Sequence, residues 1–519
     1  MSAPRVTTAA EAAARDRRAI HGGTPSFDLM VQAGSNAAAF VLREFPAALS
    51  HGVACFAGSG NNGGDAYIVA AQLARAGVVV RLHASLPPQT PDAQRAAHLA
   101  APYLVHGTPT GDERVVIDGV LGTGHQGELR GGTSADCARM AMARDRGAQL
   151  VALDVPSGLD ATTGAVAQGS VAASVTLCLA TIKRGVLMQR AHAGRIVLLD
   201  IGLRQWADLP GEHDDAAWRW ADKHTVRDMI PAIAWNAHKG TRGRVGLAGG
   251  AEGMAGAIVL AARAAARSGA GLIHAIVHPL SVPAVQSLVP QALTHAWSAT
   301  GQRYDALAVG PGLGRDKEAS LVMHDWLDAH RGTPLVLDAD ALWLAADAAN
   351  DLGTNTASLL KHITRDTAHV VCTPHPGEFA RLLGEPLPDE GEARAALLSH
   401  FATRANCTVL LKGTPTLVAT PDAEPLWVVP HGTAMLATGG SGDCLSGIIA
   451  TLLAQGCRAR DAAVAGATVH GRAAERATSL GTVRGLVLDD MLQALRDVWR
   501  ELDSARRFPP GVLAELPAP

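Results

Sequence analysis

The stretch Val53-Ala-Cys-Phe-Ala-Gly58-Ser-Gly60-Asn-Asn-Gly63-Gly64-Asp65 decides the fold. Its apolar start reads as a buried strand, its glycines as a tight turn, and the Ala-rich run from Asp65 to Ala76 as a helix. Val78-Val-Val-Arg-Leu82 then returns to strand. Strands separated by single helices of this length imply βαβ units and a parallel sheet. The alternation continues outward through strand candidates Arg114–Asp118, Leu150–Asp154, Ser174–Leu179 and Ile196–Asp200. Upstream, Thr8-Ala-Ala-Glu11 has capping-box spacing and predicts a helix start. The pattern then restarts: Gly243–Ala248 strand, Gly256–Ser268 helix, Leu272–Val277 strand, followed by Asp305–Val309, Pro334–Asp338, His369–Thr373 and Thr408–Lys412. Between the halves, 204–238 is rich in Trp, Asp and His without clear periodicity, so the predicted domains are 1–210 and 225–505. Phe508-Pro-Pro-Gly and Leu516-Pro-Ala-Pro read as a frayed tail.

Composition excludes several classes. With 519 residues the chain should hold more than one core, and 48% hydrophobic residues are too many for disorder. Forty-five Lys plus Arg against 48 Asp plus Glu leave no basic excess for a phosphate backbone, so nucleic acid is not expected as a partner. No apolar run approaches the ~18 residues of a membrane helix. Glu11 and Asp16 interrupt the N-terminal segment, which argues against a secretory signal. The seven cysteines are odd in number, scattered and never C-x-x-C, a pattern of reduced thiols in a cytoplasmic protein.

The first candidate site gathers around the opening stretch. Gly58-Ser-Gly60-Asn-Asn-Gly63 matches G-x-G-x-x-G, but the dinucleotide fingerprint also wants a carboxylate at the end of the second strand. That strand runs into Leu82-His-Ala-Ser85 and offers none, so an ordinary hydride-transfer site is the poorer reading. The turn instead carries Asn61, Asn62 and Asp65. Two further strands end in oxygen-rich turns, Asp118-Gly-Val-Leu-Gly122-Thr-Gly124 and Asp154-Val-Pro-Ser157-Gly-Leu-Asp160. In a doubly wound sheet, ligands sit outside the carboxyl ends of the strands, where the three turns would meet. Amide, hydroxyl and carboxylate oxygens suit a hard cation, and glycines 63, 64, 122 and 124 would let backbone N–H groups approach phosphate oxygens.

These motifs, in this order, resemble the NAD(P)H-hydrate epimerase family, and Thr24-Pro-Ser-Phe-Asp-Leu-Met-Val-Gln-Ala-Gly34 is similar to its N-terminal signature. The resemblance covers about 10–205 and implies a Rossmann-like doubly wound sheet. It implies a potassium ion held by Asn62, Asp118 and Ser157. It places the hydrated nucleotide against Asn61, Asn62, Gly63, Gly64 and Asp65, against Gly122, Thr123, Gly124, His125, Gln126, Gly127 and Glu128, and against Asp154, the residue chosen for acid–base work at the hydrated carbon. Ala66 stands where the family usually has glycine, which bears on the tightness of that turn.

The second candidate site centres on Ala437-Thr-Gly-Gly-Ser-Gly442-Asp443-Cys-Leu-Ser-Gly. Consecutive glycines feeding a helix start attract an anion. A carboxylate there repels a plain phosphate ligand, but it makes sense as the base that takes a hydroxyl proton beside a phosphoryl group. Lys412-Gly-Thr-Pro-Thr416 ends a strand and would wrap a nucleotide phosphate or ribose. Thr373-Pro-His375-Pro-Gly-Glu378 holds His375 between two prolines. Asp338 and Asp340 read either as site carboxylates or as caps of the next helix.

With Lys239-Gly240, Gly249 to Ala257 and Gly310-Pro-Gly-Leu-Gly314, these residues resemble the ribokinase-like fold and, more narrowly, the ADP- or ATP-dependent NAD(P)H-hydrate dehydratases, over about 238–500. The resemblance implies that Ala257, Gly312 and His375 border the hydrated nucleotide. It places Lys412, Gly413, Thr414, Pro415, Thr416 and Gly442 on the adenosine nucleotide and Asp443 at the reacting hydroxyl. Mg²⁺ would accompany ADP as co-substrate, with ATP as the alternative.

The combined expectation is a two-domain α/β repair enzyme. The first domain would interconvert the R and S epimers of hydrated NADH or NADPH, and the second would dehydrate the S form at the expense of ADP. A homo-oligomer without membrane or nucleic-acid partners is expected. One rival is a vitamin-precursor kinase, which explains Asp443 but not the N-terminal half. Another is a nucleotide-binding regulatory module without turnover in that half.

Overall fold

A computed structural model describes residues 3–106, 109–203, 218–234, 236–298, 301–367, 369–422 and 425–502. The first part of the predicted boundary stretch, at 204–217, and the tail beyond 502 lie outside the described residues. The chain divides into two compact units, one built on Pro4–Trp218 and the other mainly on 219–388 and 394–519.

In the first unit the strands are β1 Val53–Ala57, β2 Val80–His83, β3 Val105–His106, β4 Val115–Gly119, β5 Gln149–Leu153, β6 Val175–Leu179 and β7 Arg195–Leu199. They lie in the order β3-β2-β1-β4-β5-β6-β7, all parallel. β1 shows why its run is continuously apolar. Val53, Cys55 and Ala57 face one core with Phe27, Met30 and Phe40, whereas Ala54 and Phe56 face another with Cys137 and Met140. A parallel sheet covered by helices on both faces has no solvent side to alternate with. The strand order reverses between β1 and β4, the switch point at which doubly wound sheets bind ligands.

The predicted capping box forms: Thr8 Oγ1 accepts the Glu11 N–H at 3.1 Å, and the Glu11 carboxylate accepts the Thr8 N–H at 2.7 Å. Two readings are corrected. The helix expected from Asp65 spans Asn61–Arg75, so Asn61 to Asp65 form its opening turn and not a loop. Ala66 is therefore a fully buried helix residue packed against Gly119, outside the turn it was expected to affect. Gly63 and Gly64 are also needed for packing: a Cβ at Gly63 would lie 1.9 Å from the Gly58 carbonyl oxygen, and one at Gly64 2.5 Å from Met30.

In the second unit the strands are β8 Arg244–Gly249, β9 Leu272–Val277, β10 Leu293–Ala296, β11 Ala306–Val309, β12 Leu335–Leu337, β13 Val370–Cys372, β14 Thr408–Leu411, β15 Thr416–Ala419 and β16 Leu426–Val429. They run in the order β10-β9-β8-β11-β12-β13-β14-β15-β16, parallel up to β14 and antiparallel thereafter. β3, β10 and the β15–β16 pair are absent from the sequence reading. Helices Ala255–Arg267 and Ser441–Ala454 close over this sheet, so tightly that a Cβ at Gly447 would sit 2.1 Å from the Ala261 carbonyl oxygen. The two-sheet α/β architecture is the one expected. Among the described residues no helix is long and apolar enough to cross a membrane, and all seven cysteines are free and buried.

Candidate active sites

In the first unit, the turns after β1, β4 and β5 converge as the doubly wound rule predicts. Asp118, fully buried at the end of β4, accepts the Ser157 hydroxyl at 2.5 Å and the Val120 N–H at 3.2 Å on one oxygen, and the Ser157 N–H at 2.8 Å on the other. Ser157 Oγ accepts the Leu121 N–H at 2.9 Å, and Asn62 donates to the Leu121 carbonyl at 2.8 Å. Asn62, Asp118 and Ser157 are thus brought into one oxygen-rich network. Burial raises the Asp118 pKa, although the Ser157 and Val120 hydrogen bonds oppose it, and no cationic side chain pairs with this carboxylate among the described residues. An unmatched buried carboxylate among amide, hydroxyl and carbonyl oxygens fits a monovalent cation.

Asp154 follows β5 with φ of 64°, a left-handed backbone state that is uncommon for non-glycine residues and in which aspartate is among the better tolerated. The fold holds it there: its N–H donates to the Leu177 carbonyl at 2.8 Å and its Oδ1 accepts the Leu179 N–H at 2.9 Å. The same oxygen accepts the Lys183 ammonium, whose side chain is 2% exposed and also donates to the Leu179 carbonyl at 3.0 Å. Asp65 and Asp16 complete the group. Burial, then the charge of Asp154, raises the Asp65 pKa well above the usual carboxylate range against the pull of Lys183. Burial likewise raises that of Asp16. Lys183 and Asp16 escape the sequence reading. The available signal for Lys183 was a Lys-Arg pair just beyond a strand end, in Leu179-Ala-Thr-Ile-Lys183-Arg184.

Gly122 packs against the Asn62 side chain, and His125 donates its N–H to the Gly122 carbonyl at 3.1 Å. This brings the start of the 122–128 turn to the same helix N-terminus. Asn61 accepts the Thr90 hydroxyl at 2.6 Å, tying that helix start to the segment after β2.

In the second unit, Gly440 has φ of 94° and the helix begins at Ser441, with Asp443 in its first turn. Lys412, just beyond β14, points its ammonium toward Gly442, where an added Cβ would lie 3.3 Å from Nζ. Lys412 pairs with Asp338 Oδ1 at 2.8 Å, and Glu378 lies 3.7 Å away. Burial opposes the Lys412 charge, but Asp338 and Glu378 outweigh it and raise its pKa. Asp443 has the opposite experience: burial, then the Asp338 charge, push it up to about 7 despite Lys412.

The two strand-end aspartates have separate tasks. Asp338 belongs to the site, whereas Asp340 accepts the Gly314 N–H at 3.0 Å and pairs with Arg315 at 2.7 Å, fixing the Gly310–Gly314 turn. That turn brings Gly312 against Ala257: a Cβ on Gly312 would lie 3.0 Å from the Ala257 Cβ. His375 caps the helix Pro376–Leu383, accepting the Gly377 and Glu378 N–H groups on Nδ1 at 3.1 and 3.2 Å, and stays half exposed. Thr416 opens β15 and donates to the Gly413 carbonyl at 3.3 Å, closing the Lys412–Thr416 loop on itself.

Comparison with known proteins finds a family match in each unit. The family described as "YjeF-related protein N-terminus" matches residues 26–185, and that described as "NAD(P)H-hydrate dehydratase" matches 245–496. The bifunctional NAD(P)H-hydrate repair enzyme Nnr of Coxiella burnetii is 32% identical over 93% of this chain and 96% of its own length. That of Escherichia coli is 32% identical over 92% and 90%. Among solved structures, the ADP/ATP-dependent NAD(P)H-hydrate dehydratase of Bacillus subtilis, co-crystallised with ATP and Mg²⁺, is 29% identical. It covers 55% of this chain and 98% of its own, with a TM-score of 0.48. At this identity over nearly full length, the chain belongs to the family of bifunctional NAD(P)H-hydrate repair enzymes.

Proposed function

We propose that residues 1–210 epimerise hydrated NADH and NADPH and that residues 225–505 dehydrate the S epimer at the expense of ADP. The observation that carries this reading is that each unit has its own carboxylate–lysine pair at the carboxyl ends of a sheet's strands: Asp154 with Lys183, and Asp338 with Lys412 beside Asp443.

In the first unit, Asp154 takes the proton from the hydroxyl of the hydrated carbon as the ring C–N bond opens to a carbonyl. Reclosure on the other face, with the proton returned, gives the opposite epimer. Lys183 orients Asp154 through their buried ion pair. Asn62, Asp118 and Ser157 would hold a potassium ion, whose charge would offset the buried carboxylate and attract the nucleotide's phosphates.

In the second unit, Asp443, poised near neutral pH, takes the substrate hydroxyl proton as that oxygen attacks the terminal phosphorus of ADP. The P–O bond to AMP breaks, and the ring nitrogen then expels phosphate. Loss of a ring proton restores the dihydronicotinamide. Lys412 and the N–H groups after Gly440 stabilise the transferring group. No three metal-ligating side chains converge among the described residues, so Mg²⁺ would arrive on the nucleotide phosphates and not in a preformed cage. The test is to incubate separated NADH hydrate epimers with the protein and ADP or ATP, following the return of reduced-ring absorbance. Failure of both epimers to recover would overturn the reading.

A further inference from the structure

At the carboxyl end of β2, where the sequence offers no carboxylate, the fold imports one. Asp136, on the helix Gly131–Asp145 and 1% exposed, accepts the Ser85 hydroxyl at 2.5 Å on one oxygen and Arg139 Nη1 at 3.0 Å on the other, with His83 Nε2 3.1 Å from the latter. In a doubly wound sheet this is where the adenosine ribose of a dinucleotide lies. A free carboxylate there takes the ribose 2′-hydroxyl of NAD, whereas a basic group accommodates the 2′-phosphate of NADP.

The pattern of occupancy selects between these. Each Asp136 oxygen already takes a donor, Ser85 on one and Arg139 on the other, and the carboxylate is closed off from solvent. Arg139 uses only Nη1, shared between Asp136 and His83 at 3.0 Å each, and its side chain is 44% exposed. Among the described residues its other nitrogens have no partner, so the guanidinium fork is oriented from behind and open in front. The site is continuous with the helix start that would face the pyrophosphate, because Gln89 donates its N–H to the Ser59 carbonyl at 2.8 Å and Thr90 donates to Asn61 at 2.6 Å. This would put the adenosine half over β2 and β1, and the hydrated ring toward Asp118 at the end of β4 and Asp154 just beyond β5.

We infer that Arg139, oriented by Asp136 and flanked by His83 and Ser85, reads the 2′-phosphate and makes the epimerase site prefer NADPH hydrate to NADH hydrate. The inference rests on the epimerase reading above. Its test is the ratio of kcat/KM for epimerisation of the two hydrates in the full-length protein and in Arg139→Gln and Arg139→Lys. Losing a charge-assisted hydrogen bond to a phosphate should lower the NADPH-to-NADH ratio about tenfold or more in Arg139→Gln, with Arg139→Lys between it and wild type. Partial unfolding would scale both substrates equally and leave the ratio unchanged. If wild type epimerises both hydrates and the ratio does not move in Arg139→Gln, this inference is overturned and the epimerase reading stands. If wild type epimerises neither hydrate, the epimerase reading fails and the inference with it.

Discussion

Lys412 Nζ lies 2.8 Å from Oδ1 of Asp338, and the other oxygen of that carboxylate accepts the Ser446 hydroxyl at 2.7 Å. One buried aspartate therefore links a strand-end cation to the helix that carries Asp443. Burial raises the Asp338 pKa, but Lys412, Ser446 and Thr373 outweigh it and hold the group below the usual range, so Asp338 is charged at neutral pH. Asp338→Asn removes an anion that raises Asp443 and releases Lys412 to pair with Asp443. Both effects lower the Asp443 pKa, so the acid limb of the dehydration pH profile should move to lower pH. The other charges facing Asp443, Asp340 and Glu378, remain. A single-turnover pH series checks this, and an unmoved acid limb would show that Asp338 only supports the fold.

The Lys183–Asp154 pair is buried, with side chains 2% and 14% exposed. Lys183→Met should lose ~10²–10⁴-fold in epimerisation, the scale of a positioned acid–base group, while dehydration of pure S epimer continues. It should also cost about 3–5 kcal/mol, because the carboxylate is left buried and unpaired. Lys183→Met with Asp154→Asn, which removes the charge and tolerates the φ of 64°, should recover much of that stability without activity. Denaturant melts of the four-member cycle separate the two effects.

The alternation of strand and helix was legible because a parallel sheet buried on both faces leaves unbroken apolar runs, of which Val53–Ala57 is one. The helix start at Asn61 was not, because Asn-Asn-Gly-Gly is poor helix sequence, stabilised here by packing against Gly58 and Met30. β15 and β16 are four residues each and were hidden beside the glycine- and proline-rich loop before them. Motif carboxylates such as Asp154 could be read along the chain. Lys183, 29 residues further on, joins Asp154 only through the sheet, and the separate tasks of Asp338 and Asp340 depend on a positive φ of 50° at the intervening Ala339.

Potassium should stabilise the protein through the first unit. If the ion sits against the Asp118 carboxylate, melting temperature should rise with KCl relative to choline chloride at equal ionic strength. Asp118→Asn should abolish that difference while leaving S-epimer dehydration intact. Asn62→Ala should weaken it. An equal potassium response in wild type and Asp118→Asn would rule these residues out as the ion's ligands.

Asp443 joins catalysis and stability with opposite signs. Asp443→Asn keeps size and helix start but removes the base, so dehydration should fall ~10²–10⁴-fold while epimerisation is unchanged. Nucleotide binding should survive or tighten, since a charge near the phosphates is gone. The sign of the stability effect follows from linkage. The folded-state pKa of Asp443 is pushed up from 3.8 to about 7, so the native state holds this proton more tightly than the unfolded chain does. Wild-type stability from this group therefore declines as pH rises from about 4 to 7, and above that range the site carries an unfavourable buried charge. Asp443→Asn, neutral at every pH, should accordingly melt above wild type at pH 8, with the gap closing toward pH 4. A carboxylate serving only the N-terminal turn of its helix predicts the reverse, a loss of ~1 kcal/mol with near-normal turnover. Paired melts at the two pH values, alongside single-turnover dehydration, decide between them, and a folded Asp443→Asn protein with near-wild-type dehydration would remove the catalytic assignment.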